Sequence, residues 1–477
     1  MSGHEGLARD AAASMARHAA TLVAGFVTIP ILARTLGASR LGFWTLLGTA
    51  AFLLGLCDLG LNTATLRAAA GTDPRHAKQV ARIAALSTAM LGIPAVAACA
   101  WWLFGAARAL PIEQQGDARL AVIIALSGGA LSAISQSARS YAQGQGRIVA
   151  LAWARAAGVL VQLTLTITLL LLGRGLTAVA IGYAVGAVTE SILGLRAAAD
   201  GVSWQGTPQG DERKEMIRVA SSAMLTNVSV ILAVRADVFV LERVTNLATI
   251  GAYSVAARLV DQGYTLVKQV SAALVPRLGK RASNRDASIR LGTAIIGVMA
   301  AGPLAAAAVA GKPILILWAG HAVDLPILGV ALAWLAVAAM VAAVSEVPLS
   351  GMSLGGDPVA AARYIAAGSF TNIGLSILGG YLSGAWAVAA ATFAGNTIIA
   401  VLVWRWTSHS MRWRFDAIAK TLFPVLVSAT SGAIVAFALA QTGVHGLVST
   451  GLGALASTGL GLTLIRRAYR PPQESLA

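Results

Sequence analysis

Two short stretches of the sequence share one pattern at a distance of 209 residues. The first is Arg34-x₇-Gly42-Phe43-Trp44 and the second is Arg243-x₇-Gly251-Ala252-Tyr253, with Leu41 and Ile250 also matching. Each copy stands at the start of a long apolar run. The sequence therefore predicts two related halves, in which the repeated element is a loop that leads into the second membrane helix of its half.

The composition is that of a polytopic membrane protein. Of the 477 residues, 57% are hydrophobic and 12% are charged, and the mean hydropathy is +0.73. A soluble fold cannot bury so much apolar surface. We assign the net charge of +16 to membrane-flanking loops and not to nucleic-acid binding, because the longest polar stretch, residues 197–215, is too short for a soluble basic domain.

Apolar runs long enough to cross about 30 Å of hydrocarbon predict an all-α fold with about 14 transmembrane helices. They form two pseudo-symmetric six-helix lobes, residues 1–209 and 210–410, followed by two further helices and a cytoplasmic tail in residues 411–477. The predicted spans are 12–33, 42–64, 80–105, 120–138, 148–172, 176–195, 216–240, 250–275, 291–310, 325–349, 359–382, 386–404, 418–440 and 447–464.

The distribution of positive charge predicts the orientation of the chain. Most of the 36 Lys and Arg residues fall in one set of alternate loops and at the two termini. Because positive charge is retained on the cytoplasmic side, both termini are expected to be cytoplasmic. A cleaved signal peptide is the alternative for the first segment, but Arg17 interrupts its apolar region and no cleavage site follows.

Basic residues inside the predicted spans are the main candidates for substrate binding, since insertion of each costs about 2.5–3.5 kcal/mol. Arg17 and Arg155 have no acidic residue one turn away on their own helices, so we expect both to be available to an anionic ligand such as pyrophosphate. Arg258 and Lys268 share one helix face with Asp261. An internal salt bridge between Arg258 and Asp261 is the alternative. Polar stripes complete the predicted substrate-binding set: Arg17, Arg155, Arg258, Lys268, Gln162 and Gln136.

Acidic residues in or near the spans are candidates for coupling transport to H⁺ or Na⁺, because a carboxylate in a low-dielectric site can take up either cation. Cys57 and Cys99 lie in apolar runs, and the six His residues are scattered, so we expect no metal centre, no other cofactor and no catalytic site. The ion-coupling candidates are Asp58, Asp237, Asp261, Glu190 and Glu346.

The repeated module also carries a family resemblance. Residues 30–37, Leu41-Gly42-Phe43-Trp44 and residues 58–62 resemble the start of the bacterial polysaccharide-transporter family, the oligosaccharide flippases of the multidrug/oligosaccharidyl-lipid/polysaccharide exporter superfamily. Asp237, Gly251-Ala252-Tyr253, residues 257–259 and Pro276 are similar to the middle signature of that family. The resemblance is most specific over residues 30–70 and 235–280.

The resemblance implies a flippase with two lobes around a central cavity. By alternating access it would move an undecaprenyl-pyrophosphate-linked oligosaccharide from the cytoplasmic to the periplasmic leaflet of the bacterial inner membrane. The product would serve O-antigen, capsule or exopolysaccharide synthesis. Expected partners are the lipid-linked oligosaccharide, membrane lipids, and a polysaccharide polymerase and chain-length regulator, with no nucleic acid.

Other functions remain open at this point. A cation-coupled multidrug exporter of the same superfamily predicts an acidic cavity, whereas the unpaired charges expected here are basic. A flippase for the peptidoglycan lipid intermediate needs the same chemistry as the polysaccharide flippase. A membrane glycosyltransferase, polymerase or ligase is disfavoured because the outward loops are short. A sugar porter is disfavoured because the loop after the second helix lacks the expected Gly/Asp/Arg pattern.

Overall fold

The computed structural model describes residues 3–71, 73–198, 207–279, 285–355, 357–411, 413, 415–442 and 446–468, and most of their side chains from residue 24 onward. All regular secondary structure in these ranges is helical, which confirms the all-α prediction. The helices of the first half are α1 (Gly3–Leu53), α2 (Leu61–Ala69), α3 (Pro74–Ala106), α4 (Ile112–Gly144), α5 (Ile148–Leu171) and α6 (Gly175–Ala197).

The second half continues the same pattern of long apolar helices. Its elements are α7 (Gly210–Val244), α8 (Leu247–Gly279), α9 (Arg285–Ala310), α10 (Lys312–Ala319), α11 (Pro326–Gly355), α12 (Pro358–Ser383), α13 (Ala385–Ser410), α14 (Phe415–Gln441) and α15 (Gly446–Ala468). Within the described ranges, 11 helices are long and apolar enough to cross a membrane. The chain is therefore a multi-pass membrane protein.

The first two predicted spans, 12–33 and 42–64, lie on either side of a kink within α1. Gly37 has a φ of 75° and a ψ of 171°, a non-helical conformation that glycine adopts without strain, so two helical segments meet there. The second span ends earlier than predicted, because Leu59 and Gly60 have φ values of 53° and 79° and interrupt the right-handed helix. The predicted spans 216–240 and 250–275 lie within α7 and α8, which are not among the 11.

The chain divides into two compact units, and each is described by itself. Unit 1 comprises Met1–Ile231 with Asn246–Gly251, and unit 2 comprises Leu232–Thr245 with Ala252–Ala477. In unit 2 the two C-terminal helices pack on α9, where the Ser428 hydroxyl donates to the Val298 carbonyl at 3.2 Å. The predicted domain boundaries at residues 209 and 410 stay predictions.

The same helix crossing occurs in both units. In unit 1 a Cβ placed on Gly186 of α6 would lie 2.7 Å from the carbonyl oxygen of Gly158 on α5. In unit 2 a Cβ placed on Gly395 of α13 would lie 2.7 Å from the carbonyl oxygen of Gly368 on α12. Small residues allow such close backbone contact in membrane helices. The two pairs are 209 to 210 residues apart, so the packing follows the sequence repeat.

The two copies of the repeated module also contact each other, within unit 1. A Cβ on Gly42 would overlap the carbonyl group of Leu247, with 2.8 Å to its carbon, and a Cβ on Gly251 would overlap that of Ala38, with 2.9 Å to its carbon. Leu247 follows Ala38 by the repeat distance of 209 residues. The contact is therefore reciprocal, as in an isologous interface.

Candidate functional site

A charged cluster joins α4, α5 and α6 in unit 1. The carboxylate of Glu190 lies between two guanidinium groups, with 2.8 Å from its Oε1 to Nη1 of Arg139 and 2.6 Å from its Oε2 to Nη1 of Arg155. Each oxygen therefore contacts a different arginine. With two cations and one anion, the three side chains carry one net positive charge inside the membrane-spanning helices.

The members of this cluster differ in exposure. The side chains of Arg139 and Glu190 are 10% and 14% exposed, whereas that of Arg155 is 43% exposed. Arg139 also donates to Ser132, to the carbonyl oxygen at 2.8 Å and to the hydroxyl at 3.2 Å. Its stem lies against Gly194, where a Cβ would come within 2.7 Å of the Arg139 Cγ. Arg139 and Glu190 thus form a buried ion pair that contacts the more accessible Arg155.

The structure corrects the expectation that Arg155 has no acidic partner. Its partner is Glu190, 35 residues further along the chain on α6, which a search of neighbouring turns on α5 could not find. The predicted coupling residue Glu190 is held by two arginines. Arg17, the other arginine expected to be unpaired, lies in α1, but its side chain is outside the described residues.

A buried carboxylate occupies a different environment in unit 2. Asp237 on α7 is 6% exposed and accepts hydrogen bonds from residues of three other helices. Its Oδ2 accepts from the Tyr253 hydroxyl at 2.6 Å and the Thr392 hydroxyl at 2.7 Å. Its Oδ1 accepts from the Asn372 amide and the Ser376 hydroxyl, both at 3.4 Å.

These donors are all neutral. Within the described part of the chain, no basic group forms an ion pair with Asp237, and no group of three His, Cys, Asp or Glu residues has the arrangement of a metal site. The oxygen atoms of a carboxylate, hydroxyls and an amide are the ligand type that hard cations prefer. The arrangement can therefore hold one proton or one small cation on the carboxylate.

Asp58 has a local structural contact. It is 3% exposed, and its carboxylate accepts from the backbone N–H groups of Gly60 at 3.0 Å and Asn62 at 3.0 Å. These donors lie at the beginning of α2, so Asp58 acts as a helix cap there. These two hydrogen bonds explain the burial of Asp58 without a coupling role, and that role stays a prediction.

The predicted stripe on α8 separates into two parts. Arg258 and Asp261 are both exposed, and no ion pair joins them among the contacts of the described side chains. Lys268 lies 4.6 Å from the centre of the Tyr264 ring, and the Tyr264 hydroxyl donates to Glu346 at 2.6 Å. The structure thus connects Lys268 to Glu346 through an aromatic ring, and leaves Arg258 accessible.

The two predicted glutamines lie near the charged cluster but have different contacts. The Gln136 amide donates to the Ser140 hydroxyl at 3.5 Å along α4. Gln162 packs beside the helix crossing, where a Cβ placed on Gly186 would lie 2.8 Å from the Cβ of Gln162. Among the described side chains, neither glutamine hydrogen-bonds to Glu190 or its arginines, and their role in binding substrate stays a prediction.

Four side chains around Asp237 were absent from the predicted set. Tyr253 was noted only as a match of the repeat, and Asn372, Ser376 and Thr392 were not singled out. A usable signal existed in Asn372 and Ser376, which stand at i and i+4 on one helix and so share one face. Their connection to Asp237, 135 and 139 residues away, is visible only in the structure.

Comparison with known proteins identifies the fold. Residues 7–281 match the family described as polysaccharide biosynthesis protein, and no curated relative matches the sequence. The solved structure of the lipid II flippase MurJ in an inward closed conformation has a TM-score of 0.72 and 12% identity, and the alignment covers 96% of this chain and 98% of that one.

Two MATE transporters have similar folds. An inward-facing multidrug resistance MATE family transporter of the MOP superfamily has a TM-score of 0.65 at 16% identity, over 83% of this chain and 94% of that one. A mutant of the Vibrio cholerae MATE transporter VcmN has a TM-score of 0.58 at 15% identity, over 87% and 98%. At these identities the likeness concerns the fold alone, and it confirms the all-helical membrane fold.

Proposed function

Because the chain belongs to the polysaccharide biosynthesis protein family, we propose that it flips an undecaprenyl-pyrophosphate-linked oligosaccharide from the cytoplasmic to the periplasmic leaflet. The membrane is the bacterial inner membrane, both termini are cytoplasmic, and transport proceeds by alternating access without catalysis. The product supplies O-antigen, capsule or exopolysaccharide synthesis. A polymerase and a chain-length regulator act on it afterwards.

The observation that carries this proposal is the net positive cluster of Arg139, Glu190 and Arg155. Diphosphate is the one strongly anionic part of such a substrate, and guanidinium groups bind phosphate oxygens through paired N–H donors. Arg155 is the accessible member of the cluster. Arg258, Lys268 and Arg17 are further candidates for the same diphosphate.

Asp237 is the preferred coupling residue of the five predicted candidates. It is buried and accepts only from neutral donors, whereas Glu190 is paired with two arginines and Asp58 caps a helix. Uptake of H⁺ or Na⁺ would neutralise a buried carboxylate, and such a change in charge is a natural trigger for a conformational step. Asp261 and Glu346 are the secondary candidates.

Two functions compete with this proposal. The fold of a MATE transporter is compatible with a cation-coupled multidrug exporter, although the Arg139 cluster favours anionic cargo. The fold of MurJ is compatible with a flippase for the peptidoglycan lipid intermediate, which carries the same diphosphate. The sugar portion of the substrate separates this last alternative from the proposal.

A reconstituted assay tests the three functions side by side. Proteoliposomes carrying a lipid-linked oligosaccharide, lipid II or a cationic dye would be placed in a Na⁺ or pH gradient, and arrival of each cargo at the other face would be followed with membrane-impermeant reagents. We expect transfer of the lipid-linked oligosaccharide, with empty liposomes as the control. Transfer of the dye alone would establish drug export, and transfer of lipid II alone would establish the peptidoglycan intermediate as cargo.

A further inference from the structure

We infer that Arg139 sets the net charge of the anion site at Arg155 without touching the anion itself. This inference rests on the proposed function for the identity of the anion, a lipid-linked diphosphate. Arg139 is a positioning residue in this scheme, and Glu190 transmits its effect. Arg139 is not a member of the predicted substrate-binding set.

The two carboxylate oxygens of Glu190 contact different arginines. Oε1 contacts Arg139 at 2.8 Å and Oε2 contacts Arg155 at 2.6 Å, so Arg155 receives one contact and not a bidentate pair. A guanidinium has five N–H donors. Arg155 can therefore keep Glu190 and offer its other donors, on a side chain that is 43% exposed, to diphosphate oxygens.

The net charge of the cluster depends on Arg139. Arg155 and Glu190 alone form a neutral pair, which attracts a diphosphate weakly. Arg139 restores one net positive charge, and it does so from a buried position in which its Nη2 donates to Ser132 and its Nη1 contacts Glu190. A unit charge within several ångströms of a phosphate in a medium of intermediate dielectric changes affinity by about tenfold or more.

Close packing of α5 against α6 does not require the charged residues of the cluster. The Gly158 and Gly186 crossing of unit 1 is repeated by Gly368 and Gly395 in unit 2. Ile365 stands 210 residues beyond Arg155 and Ile399 stands 209 residues beyond Glu190, the same offsets as for the two glycine pairs. The same crossing therefore forms with apolar residues at these two positions, which indicates that the charges of unit 1 have another role.

Binding of inorganic pyrophosphate to the purified full-length protein, measured calorimetrically at fixed ionic strength, tests the inference. We expect Arg139→Gln to weaken binding about tenfold and Glu190→Gln to strengthen it about tenfold. The double variant R139Q/E190Q restores one net positive charge and should return to within about threefold of the wild-type affinity. Arg155→Gln should abolish binding at this site, and Arg196→Gln, an exposed position on α6, is the matched control.

The double variant separates charge from structural support, because a purely structural Arg139 would not be rescued by removal of its partner. Thermal unfolding of each variant accompanies the binding data. Wild-type affinity in R139Q, weaker binding in E190Q, or no binding of pyrophosphate to the wild-type protein would each overturn the inference. Oligosaccharide transport by the wild-type protein in liposomes is scored separately, so failure of the proposed cargo and failure of the charge balance give different results.

Discussion

The two units share one helix crossing and have opposite chemistry around it. In unit 1 the crossing of α5 and α6 lies beside two arginines and a glutamate, and in unit 2 the crossing of α12 and α13 lies beside an aspartate with neutral donors. Repeat positions make the difference explicit. Asp237 of unit 2 corresponds to Thr28 of unit 1. The four donors to Asp237 also have counterparts: Tyr253 corresponds to Trp44, Asn372 to Gln162, Ser376 to Thr166 and Thr392 to Tyr183.

Several of these positions are thus polar in both units, while only unit 2 has the carboxylate. Trp44 and Tyr183 still meet, with ring centres 6.3 Å apart, much as Tyr253 and Thr392 meet at Asp237. The comparison teaches that backbone packing and side-chain chemistry vary independently in a duplicated membrane protein. One unit then serves the anionic cargo and the other the coupling cation, under the proposed function.

The largest expected effect is on coupling in unit 2. Asp237→Asn keeps the size of the side chain and removes its charge, so gradient-driven transport in proteoliposomes should fall at least about tenfold, to the rate without a gradient. Asp416→Asn, at an exposed acid of the same unit that is outside the candidate set, is the control and should transport normally. An unchanged gradient response in Asp237→Asn would remove Asp237 from the coupling mechanism.

The second effect concerns unit 1. Arg155→Gln removes the accessible cation, and we expect about a tenfold loss of transport of the lipid-linked oligosaccharide, with normal protein levels in the membrane. The measurement is surface polysaccharide in a strain that depends on this gene, with Ile365→Gln at the corresponding position of unit 2 as the matched variant. Equal losses in both variants would contradict the division of roles between the units.

The third prediction tests what the units share. Gly186→Ala and Gly395→Ala each place a Cβ 2.7 Å from a facing carbonyl oxygen, so each should destabilise its helix pair by about 1–3 kcal/mol. Thermal unfolding in detergent measures the effect, and Gly48→Ala, where a Cβ meets nothing within 4 Å, is the control. A large shift at only one of the two positions would show that the crossings are not equivalent.

The smallest expected effect comes from a single hydrogen bond. Tyr253→Phe removes the 2.6 Å donor to Asp237 and should change stability by about 1 kcal/mol, with a several-fold change in the cation concentration that half-saturates transport. Tyr183→Phe in unit 1 is the matched variant and should leave that concentration unaltered. The same change in both variants would indicate a general effect of tyrosine removal.

Hydropathy predicted the helices well because apolar runs of membrane length have few alternative structures. It could not place the left-handed Leu59 and Gly60, which end the second span early. The helix α10 was also unpredicted, because its eight residues are too short for a span and lie in a segment interpreted as a loop.

The site was less predictable than the fold, for a geometric reason. Spacing along one helix identifies residues on the same face, so the stripe of Arg258, Asp261 and Lys268 could be found in the sequence. The contacts of Arg155 and of Asp237 join different helices, and the pairing depends on which helices are neighbours and on their axial register. Those two quantities are set by close glycine contacts, which sequence spacing alone does not reveal.

The reciprocal contact of Gly42 with Leu247 and of Gly251 with Ala38 has an evolutionary consequence. In a dimer of identical chains, one codon change alters both sides of such a joint at once. In a single chain that carries both copies of the module, each copy mutates independently. A substitution in one copy therefore leaves the residues of the other copy at this contact unchanged. Fusion therefore relaxes the requirement for sameness, and allows one half to keep an acid at position 237 while the other has a threonine at position 28.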